Sequence, residues 1–225
     1  MPGAVRAVAL ASLLAWRVAP LHNSQFWEPG DEWVEATSHI AVDVMFRTPQ
    51  WLEDQLDRVL VRHEASVGYS TCFWYNVLTS QMLFDRSGWY SALQQRAQQP
   101  YPEPLRLAII GKNFPILRQT LSSFLHQVEK AVERNDLVSI NHRVASLLAS
   151  YFDVLFAVNR LPHPGEKRLI EIAETRCAKR PVGMSRQIES ALRASATASH
   201  EVVARAELLV EGLEQLLRGE GLLSL

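Results

Sequence analysis

The sequence predicts a mainly α-helical bundle preceded by two short β-strands. From residue 48 onward, apolar residues recur at intervals of three and four, which places them on one face of a helix. Alternation of apolar and polar residues is clearest in residues 39–47. Prolines and turn residues divide the rest of the chain into segments of helical length.

The composition narrows the range of functions. The chain has 225 residues, of which 48% are hydrophobic, and a formal net charge of −1, which argues against general nucleic-acid binding. Cys72 and Cys177 are its only cysteines, so a disulfide scaffold and a cysteine zinc site are both excluded. No segment is long and apolar enough to suggest membrane insertion. We therefore expect a reduced, cytoplasmic protein.

The first 47 residues contain an apolar run and two strand-like segments. Residues 7–16 resemble a weak signal peptide, but a single preceding arginine and the lack of a cleavage site favour a buried helix. Residues 32–36 and 39–47 are the predicted strands. In the second strand, Asp43 projects opposite the apolar face. We place a domain boundary between residues 1–47 and an α-helical domain, residues 48–225.

The helical domain is predicted to begin at Thr48-Pro49, where an N-cap residue precedes a proline at the first helical position. The longest regular pattern covers residues 137–158, directly after the capping residue Asp136. The predicted helices cover residues 49–63, 89–98, 104–134 with a kink near Pro115, 137–158, 165–178 and 198–218. Residues 71–84 are apolar and fit a helix that runs into a short strand at residues 82–84.

The C-terminal helix carries an apolar seam with alternating steps of four and three residues: Val202, Ala206, Leu209, Leu213 and Leu216. Such a seam has two interpretations. It packs onto the bundle, or it forms a homodimer contact through the C-terminal helix.

Several segments, taken in order, resemble a known family. They are Gly30–Trp33, Val42–Arg47, Trp51–Leu56, Leu83–Gly88, Pro100–Leu105, Asn113, Arg134–Leu137, Phe156–Arg160 and His163–Arg168. The set resembles the C-terminal portion of bacterial nucleotidyltransferases of the polymerase-β superfamily, whose helical domain is of unknown function. The resemblance implies that residues 1–47 are a remnant of the α/β transferase core.

The resemblance also implies a metal site, because enzymes of this superfamily hold two metal ions with a Gly-Ser turn, an Asp-x-Asp strand and a third carboxylate. The sequence contains no Gly-Ser pair and no Asp-x-Asp motif. Asp43 is the candidate third carboxylate, for a catalytic or metal-binding role. Mg²⁺ is therefore expected only if a complete site is assembled.

A basic segment near residue 160 is the second candidate site. Pro162 and Pro164 enforce a turn, and a helix starting at Gly165 would place cations beside free backbone N–H groups. The candidate phosphate- or substrate-binding residues are Arg160, His163, Lys167 and Arg168. The alternative is a solvated, arginine-rich turn.

The resemblance thus implies a nucleotidyltransferase-like protein that lacks its primary metal motif and is inactive by itself. Its helical domain would bind a nucleoside triphosphate or an unknown acceptor. The alternative is a non-catalytic α-helical binding or interaction module. Mg²⁺-dependent binding of a triphosphate distinguishes the first from the second.

Overall fold

A computed structural model describes residues 21–24, 26 and 28–223. The apolar run of residues 7–16 lies outside the described residues. The chain divides into two units, residues 1–52 and residues 53–225. This division falls inside the first described helix, five residues beyond the boundary expected from the sequence.

The first unit contains an antiparallel sheet of three strands in the order β1-β2-β3: β1 (Leu21–Ser24), β2 (Gly30–Val34) and β3 (Ala41–Met45). The two predicted strands are confirmed as β2 and β3. Sequence reasoning missed β1, because its sequence Leu-His-Asn-Ser lacks the β-branched and aromatic residues typical of strands. Glu35 supports the turn between β2 and β3, where its carboxylate accepts hydrogen bonds from the backbone of Thr37 and Ser38.

The described helices confirm a mainly α-helical fold. They are α1 (Pro49–Leu60), α2 (Cys72–Thr79), α3 (Trp89–Ala97), α4 (Glu103–Asn113), α5 (Pro115–Arg118), α6 (Phe124–Glu133), α7 (Leu137–Val158), α8 (Leu169–Arg176), α9 (Met184–Ala194) and α10 (His200–Gly219). Two predicted caps are confirmed. The Thr48 hydroxyl accepts from the Trp51 N–H at 3.2 Å, and the Asp136 carboxylate accepts from the Ser139 N–H at 3.0 Å.

The structure corrects several of these assignments. In the segment 71–84, helix α2 ends at Thr79, and residues 82–84 do not form the expected strand. The predicted helix 104–134 is three helices, because Pro115 starts a new helix and Ser123 caps α6 through the His126 N–H. The predicted helix 165–178 begins only at Leu169. Helix α9 was not predicted at all. It begins after Gly183, whose φ of 70° lies in the left-handed region, and it buries one apolar stripe.

Helix α7 forms the centre of the helical unit and packs against α4, α6 and α10. Its predicted apolar stripe is buried from Ile140 to Val158, whereas Leu137 at its start remains 45% exposed. In α10, the seam residues Val202, Ala206, Leu209 and Leu213 are at most 1% exposed. Their burial within the chain favours the packing interpretation of this seam.

The described helices differ from membrane spans in length or hydropathy. None of them combines the length and apolar character that a bilayer crossing requires.

Candidate functional site

The candidate site is a groove of about 640 Å³ that runs along one face of α7 and is bordered by α8 and α9. Its volume lies within the range of about 300–1,000 Å³ that is usual for small-molecule pockets. The α7 residues that line it recur at helical spacing: Asn141, Val144, Ala145, Leu148, Ala149 and Phe152. This stripe spans twelve residues, or eleven steps of 1.5 Å, a length of about 16 Å.

Tyr69 lines one part of the groove from the loop between α1 and α2. Its φ of 54° places it in the left-handed region, which a tyrosine rarely adopts. The neighbouring backbone is fixed on both sides. The Gly68 N–H donates to Asn113 Oδ1 at 2.9 Å, and the Ser70 N–H donates to Asp153 Oδ1 at 3.0 Å. These two bonds hold the strained residue in place.

Gly68 allows this loop to lie directly on α7. A Cβ atom at Gly68 would lie 3.0 Å from Ala149 Cβ, and the glycine φ of 71° is also left-handed. Any larger residue would therefore push the loop, and Tyr69 with it, away from the groove.

Asp153 is the buried carboxylate beneath the loop, only 1% exposed in the middle of α7. Its Oδ2 accepts from the Ser70 hydroxyl at 2.6 Å and from Asn113 Nδ2 at 3.2 Å. Burial raises the pKa of Asp153 to about 7, although the hydrogen bonds from Ser70 and the charge of Arg58 act in the opposite direction. Such a shifted pKa is typical of functional sites and of buried polar networks.

His163, one of the predicted substrate-binding residues, is completely buried. Its backbone N–H donates to the Thr71 hydroxyl at 2.7 Å, and its Nδ1 accepts from the Gly165 N–H at 3.1 Å. Its ring packs edge-on against Tyr69, with 5.0 Å between ring centroids. Burial lowers the pKa of His163 to about 4, so the imidazole is neutral at pH 7. The structure thus places His163 as a support for Tyr69.

Arg160 lies in the turn after α7 and has a φ of 52°. Its guanidinium pairs with Glu103 Oε2 through Nη2 at 2.9 Å and Nε at 3.2 Å. Arg106 Nη1 donates to the other oxygen of the same carboxylate at 2.7 Å. Glu103 thus links two arginines, and it partly compensates the charge of Arg160.

Lys167 and Arg168 lie in the turn before α8 and not in its first helical turn, which corrects the helix start predicted at Gly165. Arg168 has a left-handed φ of 56° and precedes the first helical residue. Its guanidinium donates twice to Glu171, at 2.8 and 2.5 Å, and the residue lines the groove. Lys167 is exposed. Of the predicted cations, Arg168 is the one that the structure places on the groove.

Asp43 is exposed on β3 and lies directly opposite Glu32 of β2 in the antiparallel register. Opposed residues of such a pair project from the same face of the sheet, so the two carboxylates are neighbours. Within the part of the chain that the structure describes, no group of three or more His, Cys, Asp or Glu side chains is arranged to hold a metal. The described residues therefore do not fit a two-metal centre at Asp43.

Sequence reasoning missed Tyr69, Asn113 and Asp153 as members of the site. For Asp153 a signal was present, because a carboxylate stands inside the apolar segment Ser150–Val158 of a long helix. No comparable signal marks Tyr69, whose position depends on partners that are distant in the sequence.

Comparison with known proteins adds one match. The model of a domain of unknown function, DUF4037, matches residues 74–169, a stretch that includes α7 and ends at the first residue of α8. No curated protein and no solved structure is significantly similar to the chain. The matched segment contains Asn113, Asp153, Arg160, His163 and Arg168.

Proposed function

We propose that the chain is the ligand-binding helical part of a nucleotidyltransferase-like protein. In this proposal the groove along α7 receives the acceptor, and the turn from Arg160 to Arg168 contacts the phosphates of a nucleoside triphosphate. The observation that carries the proposal is the position of Arg168, which belongs both to this basic turn and to the lining of the groove. Transfer between two substrates requires adjacent sites of this kind.

Two further features support a binding role. The groove has the volume and the mainly apolar lining of a ligand site, with polar groups at a few positions. Tyr69 is fixed beside it because the N–H groups of Gly68 and Ser70 donate hydrogen bonds to Asn113 and Asp153. This fixed position reduces the entropy cost of ordering the site on binding.

In this proposal the chain alone carries out no catalytic step. Asp43 and its neighbour Glu32 provide two carboxylates, which is fewer than the superfamily uses for two metals. In this proposal, Mg²⁺ binds together with the triphosphate, or it binds at a site that is completed by residues from elsewhere. We therefore expect the purified chain to bind nucleotide without transferring it.

The test replaces Lys167 and Arg168 together by alanine and measures binding of Mg²⁺-ATP by calorimetry. A charged contact to phosphate contributes about 1.5–3 kcal/mol, so the double variant should bind at least about tenfold more weakly. Folding should be nearly unchanged, because the Arg168–Glu171 pair is exposed on both sides.

A matched control replaces Lys130 and Arg134, two exposed basic residues near the end of α6, and should bind like the wild type. Equal affinity of the wild type and the Lys167/Arg168 variant, or the absence of Mg²⁺-ATP binding, would contradict the phosphate role.

The second candidate function is a non-catalytic interaction module. It is favoured by the length of the groove, since a stripe of about 16 Å along α7 matches three turns of a partner helix. A homodimer through α10 is less suited to this role, because its apolar seam is buried within the chain. Under this candidate, no nucleotide binds.

A further inference from the structure

We propose that the acceptor site in the groove is selective for an amine, namely a ligand with an aliphatic body and protonated amino groups. This inference rests on the proposed function and specifies the chemical class of the acceptor. It follows from three properties of the groove: its floor, the charges at its rim and the placement of Tyr69.

The floor of the groove is apolar. It is formed by Val144, Leu148 and Phe152 of α7 together with Ile188 and Leu192 of α9. Ile188 and Val144 are buried, whereas Leu192 remains 45% exposed. A ligand with a hydrocarbon body would cover this surface, and each buried methylene group would strengthen its binding.

The charges along the rim favour a cation. Among the described residues that line the groove, three are glutamates, Glu171, Glu174 and Glu189, and one is an arginine, Arg168. Arg168 and Glu171 compensate one another through two hydrogen bonds.

The other two glutamates are less well compensated. Glu174 accepts a hydrogen bond from the Ser185 hydroxyl, which is neutral. Glu189 has a single contact of 3.3 Å with Arg193, whose side chain is 82% exposed and is not part of the groove lining. Glu174, and Glu189 despite its exposed ion pair with Arg193, can thus attract a positively charged ligand.

Tyr69 adds an aromatic surface to the same groove. The residue is 37% exposed, its ring lies against His163, and it belongs to the lining of the groove. An ammonium group placed near such a ring gains an electrostatic attraction that a neutral or anionic group does not. A hydrocarbon floor, an excess of carboxylates at the rim and a fixed aromatic ring together match an aliphatic amine.

The experiment compares three probes with the same eight-carbon chain and different charges: octane-1,8-diamine, octane-1,8-diol and octanedioate. Each is titrated into the full-length chain at pH 7, and backbone amide shifts of α7 are followed by NMR. We expect the diamine to bind at least about tenfold more tightly than the diol, and octanedioate to bind most weakly.

The charge dependence is tested with Glu174→Gln and Glu189→Gln. Loss of a solvent-exposed charge pair should weaken diamine binding about twofold to fivefold per substitution and leave the diol unaffected. An unchanged affinity of the diamine for the double variant would overturn the inference.

The location is tested with Ala145→Trp, which fills the groove from an exposed position on α7, and with His142→Trp as a control outside the groove lining. Diamine binding should be lost in the first variant and retained in the second.

If the diol or octanedioate binds as tightly as the diamine and Ala145→Trp abolishes that binding, the amine selectivity is wrong and the groove remains a ligand site. If Ala145→Trp affects none of the three probes, the acceptor groove itself is wrong.

Discussion

Asn113 shows how a single buried side chain shapes the candidate site. It is completely buried at the end of α4 and uses both ends of its amide. Its Oδ1 accepts from the Gly68 N–H, and its Nδ2 donates to the Ser66 carbonyl at 2.9 Å and to Asp153. Asn113 therefore holds the loop at two positions before Tyr69 and also contacts the carboxylate that holds Ser70 after it.

We predict that Asn113→Ala lowers the free energy of unfolding by about 2–4 kcal/mol. The substitution leaves the buried Gly68 N–H without its partner, which costs about 1–3 kcal/mol. It also removes one of the two hydrogen bonds to the Ser66 carbonyl, which keeps the bond from the Ser70 hydroxyl, and this loss adds about 0.5–1.5 kcal/mol. Urea denaturation measures the change. As a control, Asn141→Ala on the exposed side of α7 should cost less than about 1 kcal/mol. Equal losses in the two variants would contradict this role of Asn113.

At the scale of elements, α10 illustrates how a regular seam is used. Leu213 is fully buried in the seam, whereas Leu208 of the same helix is 47% exposed. The helix packs against α9, α6 and α7, so its apolar face closes the helical unit. The seam therefore stabilises the bundle itself.

We predict that Leu213→Ala destabilises the chain by about 2–5 kcal/mol, the range for a leucine that leaves a cavity in a core. Leu208→Ala should change the stability by less than about 1 kcal/mol, because its side chain is half exposed. Thermal and urea unfolding of both variants provide the comparison. If the seam instead joined two chains, the unfolding midpoint of the wild type would rise with protein concentration.

For the whole molecule, two buried titratable groups give opposite dependences of stability on pH. Burial raises the pKa of Asp153 to about 7, so the folded state retains a proton that the unfolded state has lost, and stability falls as pH rises to about 7. Burial lowers the pKa of His163 to about 4, so only the unfolded state gains a proton below pH 6.5, and stability falls as pH decreases.

We therefore predict that the stability of the wild type changes little between pH 5 and 7, since the two contributions are each about 2 kcal/mol over this range and oppose one another. Asp153→Asn should leave only the histidine contribution, so stability declines as pH falls to 5. His163→Gln should show the reverse dependence. Urea denaturation at pH 5, 6 and 7 measures all three proteins. Parallel pH dependences in the three would show that these two groups do not control the profile.

The sequence by itself determined the fold class and most of the helices. The caps at Thr48 and Asp136, the stripe of α7 and the seam of α10 could be predicted, because caps and helical periodicity depend on residues within one or two turns of each other. Its strand pattern also placed Asp43 opposite the apolar residues of β3, where the structure leaves it exposed.

Only the tertiary structure decided the composition of the candidate site. Ser70 and Asp153 are 83 residues apart in the sequence, and Arg160 and Glu103 are 57 residues apart. No local sequence pattern can therefore predict either contact. The same holds for the groove, which needs the unpredicted helix α9 as one of its borders. Local periodicity specifies which face of a helix is apolar, but the partner of that face is selected by packing across the whole chain.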